Sequence, residues 1–378
     1  MAVMRAKSAI DKIRPHMIDA VGHAVAPAAI HLNSNESVYG PSPLAAAAAR
    51  AAIDSLGRLP GNLRAAIVGI ERYLENPDAV LAPAIANRFG LEASRITVGQ
   101  GSDDLLARLA RAYLGPGTEL IRSQNGYLKV PNYGHANDAD VISVPDDNFK
   151  PSVDHMIAAI NERTRMVYLA NPENPAGTYL PGTEMRRLHA AIPDNALLVI
   201  DSAYEEYVDA PDYEPAHKLV EEAGNVVMCR TLSKIFGLAG ARVGWAYGPE
   251  DVIDSLRRIA LTFPVASPSV AATIAALEDR AHTAFVRKAT LSSRDWLSAE
   301  LTGLGLEVIP SQANFVLVRF PGAETTAEAA DAALRAHGIA VRRFASPAYH
   351  DCVRITIGLP EELRACVAVI SVFLNGDG

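Results

Sequence analysis

The chain has 378 residues, 49% of them hydrophobic and 21% charged, with a formal net charge of −8. That length suits one large and one smaller domain around a sizeable core, and basic residues that form no runs argue against a nucleic-acid partner. The three cysteines, Cys229, Cys352 and Cys366, lack metal-ligand or disulfide spacing, so they read as buried thiols with no metal site; no apolar run reaches the length of a membrane span, and a cytoplasmic protein is expected.

In chain order, residues 1–43 read as an N-terminal arm, extended and ending in the turn-rich text Asn33-Ser-Asn-Glu-Ser-Val-Tyr-Gly-Pro-Ser-Pro43. Ser42 suits an N-cap and Pro43 the first helical position, which predicts a helix over the alanine-rich residues 44–56. Residues 57–70, with their Gly, Pro and Asn, interrupt it as a loop. From Asp78 onward, short apolar runs alternate with helical periods, the pattern of a mostly parallel sheet covered on both faces. Strands are predicted at 95–98, 118–122, 139–144, 165–170, 196–201, 225–230 and 242–247, and helices at 78–90, 102–114, 152–161 and 183–192. The text after 250 is helical to about 304. Strands at 315–320 and 353–357 then flank helices at 325–337 and 361–374. The expected organisation is therefore α/β, with a large domain over 44–255 and a small α+β domain over 256–378, to which the arm returns.

Ligands of open α/β sheets bind beyond the carboxyl ends of the strands, and polar groups collect there. The strand text up to Ala170 runs into Asn171-Pro-Glu-Asn174, that up to Ile200 into Asp201-Ser-Ala-Tyr204, and that up to Cys229 into Arg230-Thr-Leu-Ser-Lys234. Gly99-Gln-Gly-Ser-Asp103 opens a helix whose backbone N–H groups can receive an anion. Lys234 thus stands among Thr231, Ser233 and Arg242, and an amine able to form a Schiff base beside an anion site is what pyridoxal 5'-phosphate chemistry needs. On this reading Asp201 faces the pyridine nitrogen, Asn174 and Tyr204 donate to the phenolic oxygen, Ser102, Thr231, Ser233 and Arg242 hold the phosphate, and Tyr127, opening the helix after the strand at 118–122, stacks on the ring.

Eight motifs in order, from Asn35-Glu36 through Gly99-Gln-Gly-Ser-Asp-Asp104, Asn171-Pro-Glu-Asn-Pro-Ala-Gly-Thr178, Asp201-Ser-Ala-Tyr204, Arg230-Thr-Leu-Ser-Lys234 and Gly237-Leu-Ala-Gly-Ala-Arg242 to Ala313-Asn-Phe315 and Arg354-Ile-Thr-Ile-Gly358, span nearly the whole chain. With them the chain resembles the fold-type I pyridoxal phosphate aminotransferases, histidinol-phosphate aminotransferase branch. The resemblance implies a transaminase acting between an amino donor, histidinol phosphate or an amino acid, and a 2-oxo acid such as 2-oxoglutarate. It implies that Lys234 binds the cofactor and shuttles a proton, that Asp103 joins the phosphate site, and that Arg354, with Arg342, receives the substrate's acidic group. It further implies a homodimer with shared active sites, in which Tyr73 completes the partner's phosphate site and Tyr39 lines its substrate pocket. Departures from the family pattern lie at 57–70, at Ser37-Val38 and at Phe263-Pro-Val-Ala266. Two alternatives remain open at this point: a decarboxylase of a phosphorylated amino acid, and a protein that binds the cofactor without turnover.

Overall fold

Runs of branched apolar residues punctuated by Gly, Pro and Asn make strands, and the amphipathic stretches between them make the covering helices. In the computed structural model, which describes residues 8–13, 29–57 and 77–376, a short strand β1 (Ile30–His31) precedes helix α1 (Pro43–Ala51). The Ser42 hydroxyl accepts a hydrogen bond from Ala45 N–H at 3.1 Å, as the cap reading expects, although the helix stops at Ala51 rather than running on to residue 56. There follow α2 (Asp78–Phe89), β2 (Ile96–Gly99), α3 (Ser102–Tyr113), β3 (Glu119–Ser123), α4 (Val130–Ala136), β4 (Asp140–Val144), α5 (Val153–Ala159) and β5 (Thr164–Ala170). Next come α6 (Gly182–Ala190), β6 (Leu197–Asp201), α7 (Ala216–Glu222), β7 (Val226–Thr231) and β8 (Gly244–Tyr247).

All seven strands from β2 to β8 lie in one sheet, in the order β2-β8-β7-β6-β5-β3-β4. Only β8 runs antiparallel to its neighbours. Every residue of β3, β6 and β7 is buried, because helices cover both faces and leave no side of the strand for polar residues. One face packs Ile121, Val167, Leu198, Ile200 and Met228, and the other packs Leu120, Tyr168, Val199, Val227 and Cys229.

The rest of the chain forms α8 (Glu250–Arg258), α9 (Ser267–Glu278), α10 (Arg280–Gly303), β9 (Glu307–Ile309), β10 (Phe315–Arg319), α11 (Ala327–Ala336), β11 (Ile339–Ala340), β12 (Arg342–Arg343), β13 (Cys352–Thr356) and α12 (Pro360–Asn375). A four-stranded antiparallel sheet runs β12-β13-β10-β9, with its own core of Leu32, Leu297, Val316, Val318, Leu334, Val353 and Ile355. Residue 255 falls inside α8, and α9 packs on α1 and α2 with Val270 and Ala276 in the core of the larger sheet. The arm returns to the smaller sheet's side: β1 pairs in parallel with β11.

A buried ion cluster fastens the loop after β6 to the end of β7. The Arg230 side chain, 4% exposed, reaches Glu205 at 3.1 Å and Glu206 at 2.5 Å, and its guanidinium lies 4.4 Å from the centre of the Phe89 ring. Truncation would leave two carboxylates desolvated without their cation. Arg230→Met is expected to lower the unfolding free energy by about 3–5 kcal/mol, read from urea denaturation; a midpoint unchanged from the parent would show the cluster to be energetically idle.

Candidate active site

Register brings the polar ends of the central strands together. Ala170 on β5 pairs with Asp201 on β6, and Asp201 pairs with Cys229 on β7, so Asn171–Asn174, Asp201–Tyr204 and Thr231–Lys234 leave the sheet side by side. On the far side, Gly99 pairs with Gly244 of β8. Glycine is required at 244 because a Cβ there would lie 2.3 Å from Gly101 C and Ser102 N, and at 101 because a Cβ would meet Arg242 Nη2 at 2.5 Å. These two positions let β8, the first turn of α3 and the Arg242 side chain converge.

The result is a cavity of about 460 Å³. Its wall holds Ser102, Asp103, Tyr127, Asn174, Asp201, Tyr204, Thr231, Ser233, Lys234, Arg242, Arg342 and Arg354, all singled out by sequence. Tyr39 is not in that wall; it packs edge-on to Phe285 of α10, ring centres 5.1 Å apart. Tyr73 lies outside the described residues, as does the 57–70 segment beyond its first residue.

At the end of the cavity lined by Thr231, Ser233 and Arg242, Ser233 N–H donates to Thr231 Oγ1 at 3.1 Å and Thr231 Oγ1 donates to Ser233 Oγ at 2.8 Å. Arg242 holds a left-handed backbone, φ 53°, which costs a non-glycine residue about 1–2 kcal/mol. That conformation folds the side chain back so that Nη1 donates to Ala239 O at 3.1 Å. The N-terminus of α3 has no side-chain cap and its Ser102 lines the cavity. Asp103 differs from expectation in what it offers: its Oδ1 accepts from Tyr127 at 2.9 Å and from Tyr133 at 2.7 Å. The carboxylate, an acceptor only, anchors the Tyr127 ring, while the Asp103 backbone N–H in the first turn of α3 is of the kind that receives an anion. Tyr127 itself sits in the turn before α4, which starts at Val130, rather than opening the helix.

Three charges dominate the middle of the cavity. Asp201 is buried and accepts from Tyr168 Oη at 3.0 Å and from Ala203 N–H at 3.2 Å. Burial drives its pKa up to about 6, because these donors and the more distant Lys234 amine only partly offset the desolvation. Burial also lowers Lys234 to about 8, helped by repulsion from Arg354 and Arg242 and opposed by Glu36 and Asp201. Its Nζ lies 5.6 Å from the Tyr204 ring centre and 3.5 Å from Ser34 O. Arg354 donates to Asn174 Oδ1 at 2.6 Å and to Asn33 O at 2.9 Å, and its Nε is buried with no hydrogen-bond partner among the described residues. Burial, with Arg342 adding repulsion, brings Arg354 down to about 10.

Such a site offers an amine that is partly free base near neutrality, a buried carboxylate suited to a cationic ring nitrogen, and hydroxyl, guanidinium and backbone donors at one end. Over residues 27–370 the sequence matches the family described as aminotransferase class I and II. The chain belongs to the class I and II aminotransferases. It is 44% identical over 347 residues to the histidinol-phosphate aminotransferase of Paramagnetospirillum magneticum and 43% identical over 349 residues to that of Rhodospirillum centenum, covering 92% of both chains in each comparison. Among solved structures, the histidinol-phosphate aminotransferase of Sinorhizobium meliloti in complex with pyridoxal-5'-phosphate superposes with a TM-score of 0.87 at 26% identity, covering 100% of this chain and 99% of that one. The aspartate aminotransferase of Thermus thermophilus with maleate shares the fold, with a TM-score of 0.80 at 22% identity over 98% and 100% of the two chains.

The chain is thus a transaminase with pyridoxal phosphate as its cofactor, a reading favoured over a decarboxylase or a binder without turnover. The donor set fits that group: among the described residues Asp201 has no cation in hydrogen-bond contact, and glycines at 101 and 244 let Arg242 and β8 come close to the first turn of α3. Sequence reasoning missed several members of the wall, among them Tyr168, Asn35, Glu36 and Phe344. Tyr168 was discoverable, since it lies two residues before Ala170 on the same face of β5 and carries a hydroxyl into an apolar strand.

The lowered lysine pKa has a sign that can be checked. Protein freed of cofactor is expected to take up pyridoxal phosphate covalently at a rate that rises with pH and levels off above about 8, as Lys234 loses its proton. Borohydride reduction followed by peptide mapping should place the label on Lys234, and Lys234→Ala should abolish it.

Proposed function

We propose that this transaminase takes its amino group from histidinol phosphate and passes it to a 2-oxo acid such as 2-oxoglutarate. The observation that carries this reading is Arg354, a buried guanidinium with no carboxylate in salt-bridge contact among the described residues, with Arg342 in the same wall. A phosphate or a carboxylate is the acidic group such a site receives. Curated relatives 40–44% identical and named for histidinol phosphate support that donor over a plain amino acid.

Lys234 would hold the cofactor through its amine, and its Nζ would carry the proton taken from the substrate's α-carbon. Bound pyridoxal phosphate supplies an electron sink for the charge left at that carbon. Asp201, ionised, keeps the ring nitrogen protonated, and Tyr168 orients its carboxylate. Tyr204 and Asn174 donate to the phenolic oxygen. Ser102, Thr231, Ser233 and Arg242 hold the phosphate, while Tyr127, fixed by Asp103, packs against the ring. Phe344 and Phe315 flank the Arg354 guanidinium at 5.6 and 5.1 Å and keep water from it.

The enzyme works in the cytoplasm as a homodimer in which Tyr39 reaches the partner's site. No described helix is long and apolar enough to cross a membrane. Leu44, Ile53, Leu56 and Phe285 are exposed apolar side chains near α1 and on α10, a surface suited to a second copy.

In single half-reactions, histidinol phosphate is expected to convert the bound cofactor to its amino form faster than glutamate or other amino acids at equal concentration; conversion by none of them would sink the reading. Arg354→Met should raise KM for the acidic substrate about 10- to 100-fold, the size of a charged hydrogen bond, with a smaller change in kcat. Sedimentation should give twice the 40.3 kDa chain mass, and Leu44→Glu with Phe285→Glu should shift the species towards the single chain.

A further inference from the structure

Asn35 is buried, 1% exposed, and held at φ 54° in the arm, far in sequence from everything it touches. Its backbone N–H donates to Thr356 Oγ1 of β13 at 3.0 Å, and the Thr356 hydroxyl donates back to Asn35 Oδ1 at 3.1 Å. Asn314 Nδ2 donates to the Asn35 carbonyl at 3.1 Å. With its oxygen taken by Thr356, the Asn35 amide turns its NH₂ to the Tyr204 hydroxyl at 3.0 Å. Turned the other way, the amide would set its NH₂ against Thr356, whose oxygen already accepts from the Asn35 N–H, and the Thr356 proton would lose its acceptor.

A second amide repeats the arrangement. Asn174 Oδ1 is occupied by Arg354, so its NH₂ faces Tyr204 Oη at 3.4 Å. Both side chains against the Tyr204 oxygen are donors with no acceptor to present. A phenol has one proton, and neither amide can receive it. The remaining direction is the cavity, whose wall Tyr204 forms.

We propose that Asn35, locked by Thr356, is a positioning residue that makes the Tyr204 hydroxyl donate into the cavity. This rests on the reading of Tyr204 as a donor to the cofactor's phenolic oxygen. Asn35 and Thr356 touch neither cofactor nor substrate in this role; they act through the tyrosine. Withdrawing that donor leaves more negative charge on the phenolic oxygen, and the Lys234 nitrogen in the loaded enzyme then holds its proton to higher pH.

The experiment titrates the absorption of the cofactor-loaded enzyme with pH and compares variants. Tyr204→Phe should raise the midpoint by about one pH unit, the size of one hydrogen bond to a charged oxygen. Asn35→Asp replaces the donor with an acceptor that draws the Tyr204 proton away, and suits the left-handed backbone that Ala would strain. It should move the midpoint in the same direction, and the uncharged Thr356→Val should add nothing in a Tyr204→Phe background. Because Asn35→Asp adds a charge, Thr356→Val is the uncharged check: it leaves in place Arg354, Asp201 and Glu173 around Tyr204, and Glu36 and Arg242 near Lys234. Thr356→Val should raise the midpoint and Thr356→Ser should restore it. A Tyr204→Phe shift with Thr356→Val at the parent value, or additive shifts in the double variant, would overturn the relay and leave the Tyr204 assignment standing. No shift with Tyr204→Phe would overturn both.

Discussion

Charge buried without a matching countercharge is the condition around which this molecule is built. Lys234, Asp201 and Arg354 face one hollow, and the side chains around them solvate each only in part: two hydrogen bonds for Asp201, a carbonyl and an amide oxygen for Arg354, a distant carbonyl for Lys234. Desolvation moves each towards its neutral form. For the lysine this yields a nucleophile near physiological pH, and for the other two it yields groups that gain from meeting an opposite charge. Reactivity and recognition here share one physical origin.

The sheet sets the distances among those charges. Parallel strands β5, β6 and β7 end in register, so three loops leave at one level and deliver their first polar residues into one space. The antiparallel β8 brings Arg242 back to the same edge, and glycines at 101 and 244 remove the side chains that would hold it off. Arg230, with Glu205 and Glu206, then locks the loop of Asp201 and Tyr204 against the strand leading to Lys234.

Much of this was legible in the residue order. All seven strands of the larger sheet fall within a few residues of where apolar runs and turn residues put them, because most are buried on both faces and leave a nearly unbroken hydrophobic signature, the edge strand β4 being partly exposed. Asp201 and Lys234 were legible because each ends or follows such a run, where a polar residue meets the sheet's edge. What escaped were short or tertiary features: the two- and three-residue strands β1, β9, β11 and β12 carry too few residues for a period to show, and the start of α4, which holds a proline and a glycine, falls three residues later than Tyr127. The Asp103 side chain's hold on two phenols was not legible, because the same side chain can cap a helix, face an anion or anchor hydroxyls, and only the fold brings Tyr127 and Tyr133 to it. Asn35 and Thr356 stand 321 residues apart, a separation across which no local pattern carries information.

That separation bears on how the molecule comes into being. The larger sheet is complete once Tyr247 has been made, yet the wall contributed by residues 33–36 is pinned by Asn314, Arg354 and Thr356. During synthesis residues 33–36 emerge well before Asn314, Arg354 and Thr356, so a chain stalled after the larger sheet would carry Lys234 at an unfinished rim. Closure of that wall is thereby tied to folding of the smaller sheet, whose β13 carries two of the three anchors.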